Sequence, residues 1–205
     1  MHNEILTPAQ AALLPFIKKF RRGFYLVGGT AIALQLGHRR SVDFDLFINA
    51  ESLNLKSIQS EYKKVHGTKK VLHKAFDQLH VTINDVKITF FAYPYPVHAD
   101  VELDTVCRMP DLLELSAMKA FALGGRAKWK EYVDLYFVLK SRYSVKQISD
   151  QAEELFGDLF SPKLLRQQLA YFDDVDYSEE VEFIGKEVSK EEVQRFLIEA
   201  ATEKF

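Results

Sequence analysis

The chain predicts an α+β fold, with a mixed sheet and a few helices in its first half and helices alone in its second. Three features predict it. Alternating or fully apolar runs of strand length, at 24–27, 42–48, 79–83, 86–91 and 100–106, all lie before Pro110. Beyond Pro110 the apolar residues recur with helical spacing. The composition changes at that proline, which places a mixed-sheet N-terminal domain at 1–109 and an all-helical C-terminal domain at 110–205.

Thr7-Pro8-Ala9-Gln10 reads as a capping box with proline at the first helical position, opening a helix that ends within 18–22. Pro15 kinks this helix or divides it in two, because it has no N–H to donate. The first strand, 24–27, leads through Gly28-Gly29-Thr30 into a short helix at 31–36 that Gly37 closes. An acidic strand follows at 42–48, with Val42, Phe44 and Leu46 expected in the core. An amphipathic helix at 55–66 ends before Gly67, and 79–83 with 86–91 form a hairpin around Asn84-Asp85. One more strand is expected at 100–106. The helices of the second half are expected at 111–123, 128–140, 145–156, 162–172 and 190–203, with the acid-rich 173–182 as a loop between the last two.

The 205 residues are 47% hydrophobic and 27% charged, which excludes a disordered chain, and a net charge of −2 excludes a polycation. Any contact with nucleic acid must come from local basic patches. A single cysteine, Cys107, excludes an intrachain disulfide and a cysteine zinc site. No apolar run approaches the ~20 residues that cross a bilayer. The first residues lack the basic-then-apolar pattern of a secretory signal, so a cytoplasmic protein with no membrane partner is expected.

Gly28-Gly29-Thr30 by itself is an ordinary strand-to-helix turn. Its functional reading is a place where backbone amides approach a triphosphate at a helix N-terminus. Asp43 and Asp45 alone are equally unspecific. Two like charges on one strand face repel, however, and a divalent cation would relieve them. The coupling of Gly-Gly-Thr to Ser-x-Asp-x-Asp at this spacing favours the chemical reading.

The block GGT, short helix, GHRRSVDFDLF resembles the AbiEii-type nucleotidyltransferases, a toxin branch of the DNA polymerase β superfamily. MKAFALGGRAKWKEYVDLYFVL is similar to the second signature of that family, and LAYFDD also looks familiar for the group, so the resemblance covers most of the chain. It implies a Mg²⁺-dependent transfer, with Mn²⁺ as the alternative, of a nucleoside monophosphate from an NTP to an RNA acceptor, tRNA being the candidate. Asp43 and Asp45 would bind the metal, and Gly28, Gly29 and Thr30 the phosphates, with Ser41, Arg39, Lys119 and Arg126 completing the nucleotide-binding set. Lys119 and Asp134 join the two aspartates as the expected catalytic residues, Asp134 as a partly buried carboxylate that orients Lys119 or Arg126. The implied setting is a toxin–antitoxin or phage-defence pair, whose antitoxin need not touch this chain.

The superfamily pattern also has a third carboxylate on the neighbouring strand, and Thr89 stands there instead. Glu102 or Asp104 is a candidate substitute. Thr89 motivates a competing reading, a catalytically weak nucleotide-binding module; a third reading keeps the enzyme and gives it a small-molecule acceptor. Clusters at Arg39-Arg40, at Lys63, Lys64, Lys69, Lys70 and Lys74, and at Arg126, Lys128 and Lys130 are solvated surface unless they converge on one cleft. There Trp129 would be a stacking platform. His38 is expected to be structural or to contact phosphate.

Overall fold

The computed structural model describes residues 1–125 and 127–203. Helix α1 (Pro8–Ile17) opens on a full capping box: the Thr7 hydroxyl accepts from the Gln10 amide, and the Gln10 side chain accepts from the Thr7 amide. Pro15 sits inside α1, which then tightens into a 3-10 turn at Lys18–Phe20. Next come β1 (Tyr25–Val27), α2 (Gly28–Leu36), β2 (Phe44–Ile48), α3 (Leu55–Lys64), β3 (Lys69–Lys74), β4 (Gln78–Ile83), β5 (Val86–Ala92), β6 (Val101–Leu103) and β7 (Cys107–Met109). Helices α4 (Leu112–Leu123), α5 (Trp129–Ser141), α6 (Val145–Phe156), α7 (Pro162–Leu169) and α8 (Lys190–Thr202) complete the described chain.

The strands form one mixed sheet in the order β3-β4-β5-β2-β1-β7-β6, with β2/β5 and β1/β7 parallel and the other pairs antiparallel. Strand alternation gives its centre two unlike faces. Phe44, Leu46, Leu79, Val81, Ile88 and Phe90 are buried on one face, where the Phe90 ring meets Phe20 and Phe24 edge-on at 4.8 and 5.4 Å. The other face carries Asp45, Thr89 and His80 as register partners across three adjacent strands. Helix α2 lies against β1, β2, α4 and α5, and its Ala31, Ile32, Ala33 and Leu34 are buried. One continuous apolar core therefore joins the sheet to the helices that follow it.

Several local expectations change. The helix begins at Gly28, so both glycines belong to its first turn. Val42 is 55% exposed, not core, because regular pairing starts only at Phe44 and Asp43 lies on the lead-in to β2. The expected strand at 100–106 is a hairpin, β6 and β7, folded at Asp104 with φ +46°. Strand β3 was not expected at all: every residue in it is exposed, so it shows no alternation. The helix expected at 162–172 stops at Leu169.

Candidate active site

A cleft of about 460 Å³ opens between the polar face of the sheet and the helices, and it is lined by both glycines, both aspartates and several cations. Its floor is built locally. Asp45 lies in β2 and points away from Phe44 and Leu46, which are 0% and 1% exposed. Asp43 is positioned by the segment before the strand. There the Gln10 side-chain Nε2 donates to the Ser41 carbonyl at 2.9 Å, and the Thr30 hydroxyl reaches the Ser41 hydroxyl at 3.0 Å and the Asp43 carbonyl. Gly28 has φ +72°, and a Cβ there would overlap the Asp45 carboxylate. A Cβ at Gly29 would lie 2.5 Å from Arg39 Nη2 and 3.1 Å from Ser41 Oγ. The missing side chains thus let the first turn of α2 approach the aspartates and Arg39 closely.

Asp43 and Asp45 form no ion pair within salt-bridge distance among the described residues. Burial, and then the charge of Asp45, push the Asp43 carboxyl above its ordinary range. Two half-buried carboxylates that repel each other suit a hard divalent cation, which takes one or two protein carboxylates and completes its shell with water and phosphate oxygens. Among the described residues no group of three or more His, Cys, Asp or Glu could cage an ion. The donor set therefore fits Mg²⁺ or Mn²⁺ shared with a substrate phosphate, not a structural zinc.

Behind the cleft wall, Asp134 of α5 is wholly buried. Arg39 Nε donates to its Oδ1 at 2.7 Å and Nη2 to its Oδ2 at 2.9 Å, with His38 Nε2 at 2.8 Å and Lys119 Nζ at 3.1 Å. Burial favours the neutral acid, but Arg39 and Lys119 outweigh it and hold Asp134 well below the usual carboxylate range. Lys119 and Arg39 line the cleft with the aspartates, whereas Asp134 does not and acts on it only through them. The pairing of Asp134 with Lys119 follows the expected one.

Other expectations are revised. Thr30 is 1% exposed and does not line the cleft; its hydroxyl is held by Ser41 and Asp43, so it positions the segment that carries Asp43. His38 is structural, bound to Asp134 and packed on Phe137. Glu102 cannot replace the third carboxylate, since β6 is the far edge of the sheet and Glu102 pairs with Arg21 at 2.6 Å. Asp104 sits in the turn beyond it. Trp129 does not line the cleft and packs against Tyr132 and Tyr177. Arg126 lies outside the described residues.

Of the basic clusters, Lys128 and Lys130 converge on the cleft with Arg39, but the partner of these two lysines and two further cleft residues were not foreseen. Lys128 and Lys130 line the cleft and both pair with Glu179, which belongs to the acidic loop between α7 and α8. Backbone bonds fasten that loop at both ends: the Asp176 amide donates to Ala127 and the Trp129 amide to Asp176, while Ile184 donates to His38 and Arg40 to Glu182. The lysine pair draws Glu179 down to about 2. His80 and Lys87, from β4 and β5, also face the cleft. In the sequence, alternation along 78–83 was the available signal for His80; nothing marked Glu179.

Comparison with known proteins agrees with this architecture. The uncharacterized protein aq_aa25 of Aquifex aeolicus (strain VF5) is 30% identical over 182 residues, which span 82% of this chain and 87% of that one. MenT4, the nucleotidyltransferase toxin Rv2826c from Mycobacterium tuberculosis H37Rv, superposes with a TM-score of 0.64 at 12% identity, over 94% of this chain and 81% of that one. JHP933 from Helicobacter pylori gives a TM-score of 0.56 at 17% identity, over 96% and 91%. At such identities these two likenesses are of fold. The family model of the nucleotidyl transferase AbiEii toxin, type IV toxin–antitoxin system, matches residues 17–202. This chain belongs to the AbiEii nucleotidyltransferase toxin family.

Proposed function

We propose that the chain transfers a nucleoside monophosphate from an NTP to a hydroxyl of an RNA, tRNA being the first candidate, and does so with Mg²⁺. One observation carries this reading: Asp43 and Asp45, which form no ion pair among the described residues, share a single cleft with Gly28, Gly29, Arg39 and Lys119. Asp43 and Asp45 would hold the cation, which when bound neutralises phosphate charge and stabilises the attacking and leaving oxygens of an in-line displacement. The first turn of α2 offers backbone N–H groups to the triphosphate, favoured by the helix dipole. Lys119 and Arg39, fixed by Asp134, supply positive charge whose geometry is set before substrate arrives. Lys87, Lys128 and Lys130 extend that charge along the cleft toward an acceptor strand.

A toxin of this kind is held in check by a cognate antitoxin, which need not bind the chain itself. The test is to incubate the purified protein with total RNA, Mg²⁺ and each labelled NTP in turn. Label entering RNA, lost in Asp43→Asn/Asp45→Asn, supports the reading. Label entering only small molecules, or none, overturns it.

A further inference from the structure

In-line displacement at the α-phosphate requires the acceptor hydroxyl to lose its proton. Thr89, the register partner of Asp45 on β5, cannot take one at neutral pH. One strand further out, His80 of β4 is the register partner of Thr89, and all three side chains face the same cleft. Neither ring nitrogen of His80 has a hydrogen-bond partner among the described residues, and its ring lies against that of His73, with centroids 5.4 Å apart. Asp45 and His80 are two strand spacings apart, about 10 Å between backbones, which leaves room for a ribose hydroxyl and a water between them.

Resting on the proposed transfer to RNA, we propose that His80 is the general base for the acceptor hydroxyl, in the role a third carboxylate would otherwise fill. As a lone pair of the acceptor oxygen forms the new bond to the α-phosphorus, the bond from that phosphorus to its bridging oxygen breaks. The bonding pair leaves with pyrophosphate. The hydroxyl proton passes to an unprotonated His80 nitrogen, directly or through one water, and from there to solvent.

The surroundings keep that nitrogen available. Burial, then Lys87 on β5 and His73 on β3, lower the pKa of His80, while Asp45 on β2 acts in the opposite sense. Lys119 of α4 and Lys130 of α5 line the same cleft, as do the carboxylates of Asp43 before β2 and Glu179 of the acidic loop. The base is therefore neutral at pH 7 and is lost as pH falls through its lowered pKa.

The test measures transfer of labelled nucleotide to RNA by the full chain with Mg²⁺, between pH 5 and 8. It compares the wild type, His80→Ala and His80→Gln, with NTP binding followed by calorimetry. We expect kcat to fall ~10²-fold or more in both variants, NTP affinity to stay within about twofold, the acid limb of the rate profile to disappear, and added imidazole to restore part of the rate in His80→Ala. His80→Gln keeps size and polarity, so it carries the same comparison if the alanine variant does not fold. An active wild type matched in rate or in acid limb by the variants overturns the assignment, as does a loss of NTP affinity equal to the loss of rate. A wild type that labels no RNA overturns the transfer reading itself, and this inference with it.

Discussion

Arg39 and Asp134, 95 residues apart in sequence, meet in a two-point ion pair with Nε on Oδ1 at 2.7 Å and Nη2 on Oδ2 at 2.9 Å. Their side chains are 4% and 0% exposed. The pair joins the segment after α2 to α5 and so holds the two walls of the cleft together. Lys119 shares the same carboxylate at 3.1 Å. One buried anion thereby fixes two of the cations that line the cleft.

Asp134→Asn keeps the shape and removes the charge, leaving Arg39 and Lys119 buried without the carboxylate they share. Breaking a buried pair from one side costs about 3–5 kcal/mol, and denaturant unfolding should show a loss of that order together with reduced transfer. Because the partners are in contact, Arg39→Met with Asp134→Leu should lose less than the two single changes added together. A single Asp134→Asn loss below about 1 kcal/mol would remove Asp134 as the anchor.

The two classes of carboxylate give opposite pH dependences. Asp134 has a depressed pKa, so its stabilisation is present above the unfolded value near ~3.9 and is lost as pH falls below it toward the folded value. Asp43 has a raised pKa, so its contribution is present below that unfolded value and lost as pH rises through the folded one. At pH 7 without divalent cation, Asp43→Asn should therefore melt at or above the wild-type temperature. Mg²⁺ should raise the wild-type Tm and leave Asp43→Asn/Asp45→Asn unmoved, as expected when a ligand binds only the native form. Acid titration of Asp134→Asn should show a flattened loss below pH 4. A Mg²⁺ response that survives in the double variant would remove the metal assignment.

Gly29→Ala tests the close approach of α2 to Arg39. The new methyl would lie 2.5 Å from Arg39 Nη2, and that atom is not a free side-chain end because Asp134 holds it. Either the ion pair or the helix must shift, at a cost of about 1–3 kcal/mol. A thermal melt and NTP calorimetry should both register the change. Full NTP affinity in a variant of wild-type stability would show that the first turn does not carry the phosphates.

What the sequence could tell follows from where side chains point. Phe44 and Leu46 alternate with Asp45, so the acidic strand was legible, and its boundary erred at Val42 because a short polar lead-in keeps the same alternation. Asp134 stood among Val133, Leu135 and Val138, which signalled a partly buried carboxylate needing a cation such as Lys119 or Arg126, whereas nothing local marked Arg39 as its two-point partner. Strand β3 was illegible because an edge strand rich in lysine has no apolar face, a common protection against edge-to-edge pairing. Glu179 was illegible for another reason. Its meeting with Lys128 and Lys130, 51 and 49 residues away, is set by backbone bonds between distant segments, and no local periodicity encodes those.

Glu179 also supplies the sharpest test of how the cleft receives an anion. Its carboxylate lies between Lys128 and Lys130, and those hydrogen bonds bring it to about 2, so it stays charged throughout the physiological range. A triphosphate or an RNA phosphate entering that end of the cleft competes with it for the same two ammonium groups. Both pairs are partly solvated, with the glutamate side chain 41% exposed, so each is worth at most about 1 kcal/mol. Glu179→Gln should therefore tighten binding of substrate phosphate about two- to fivefold and steepen its dependence on salt, since two more cations are free to release counterions. Calorimetry with NTP, and filter binding with RNA at 50 and 200 mM salt, read this directly. Weaker binding in Glu179→Gln would mean instead that the carboxylate holds the two lysines in place for the substrate.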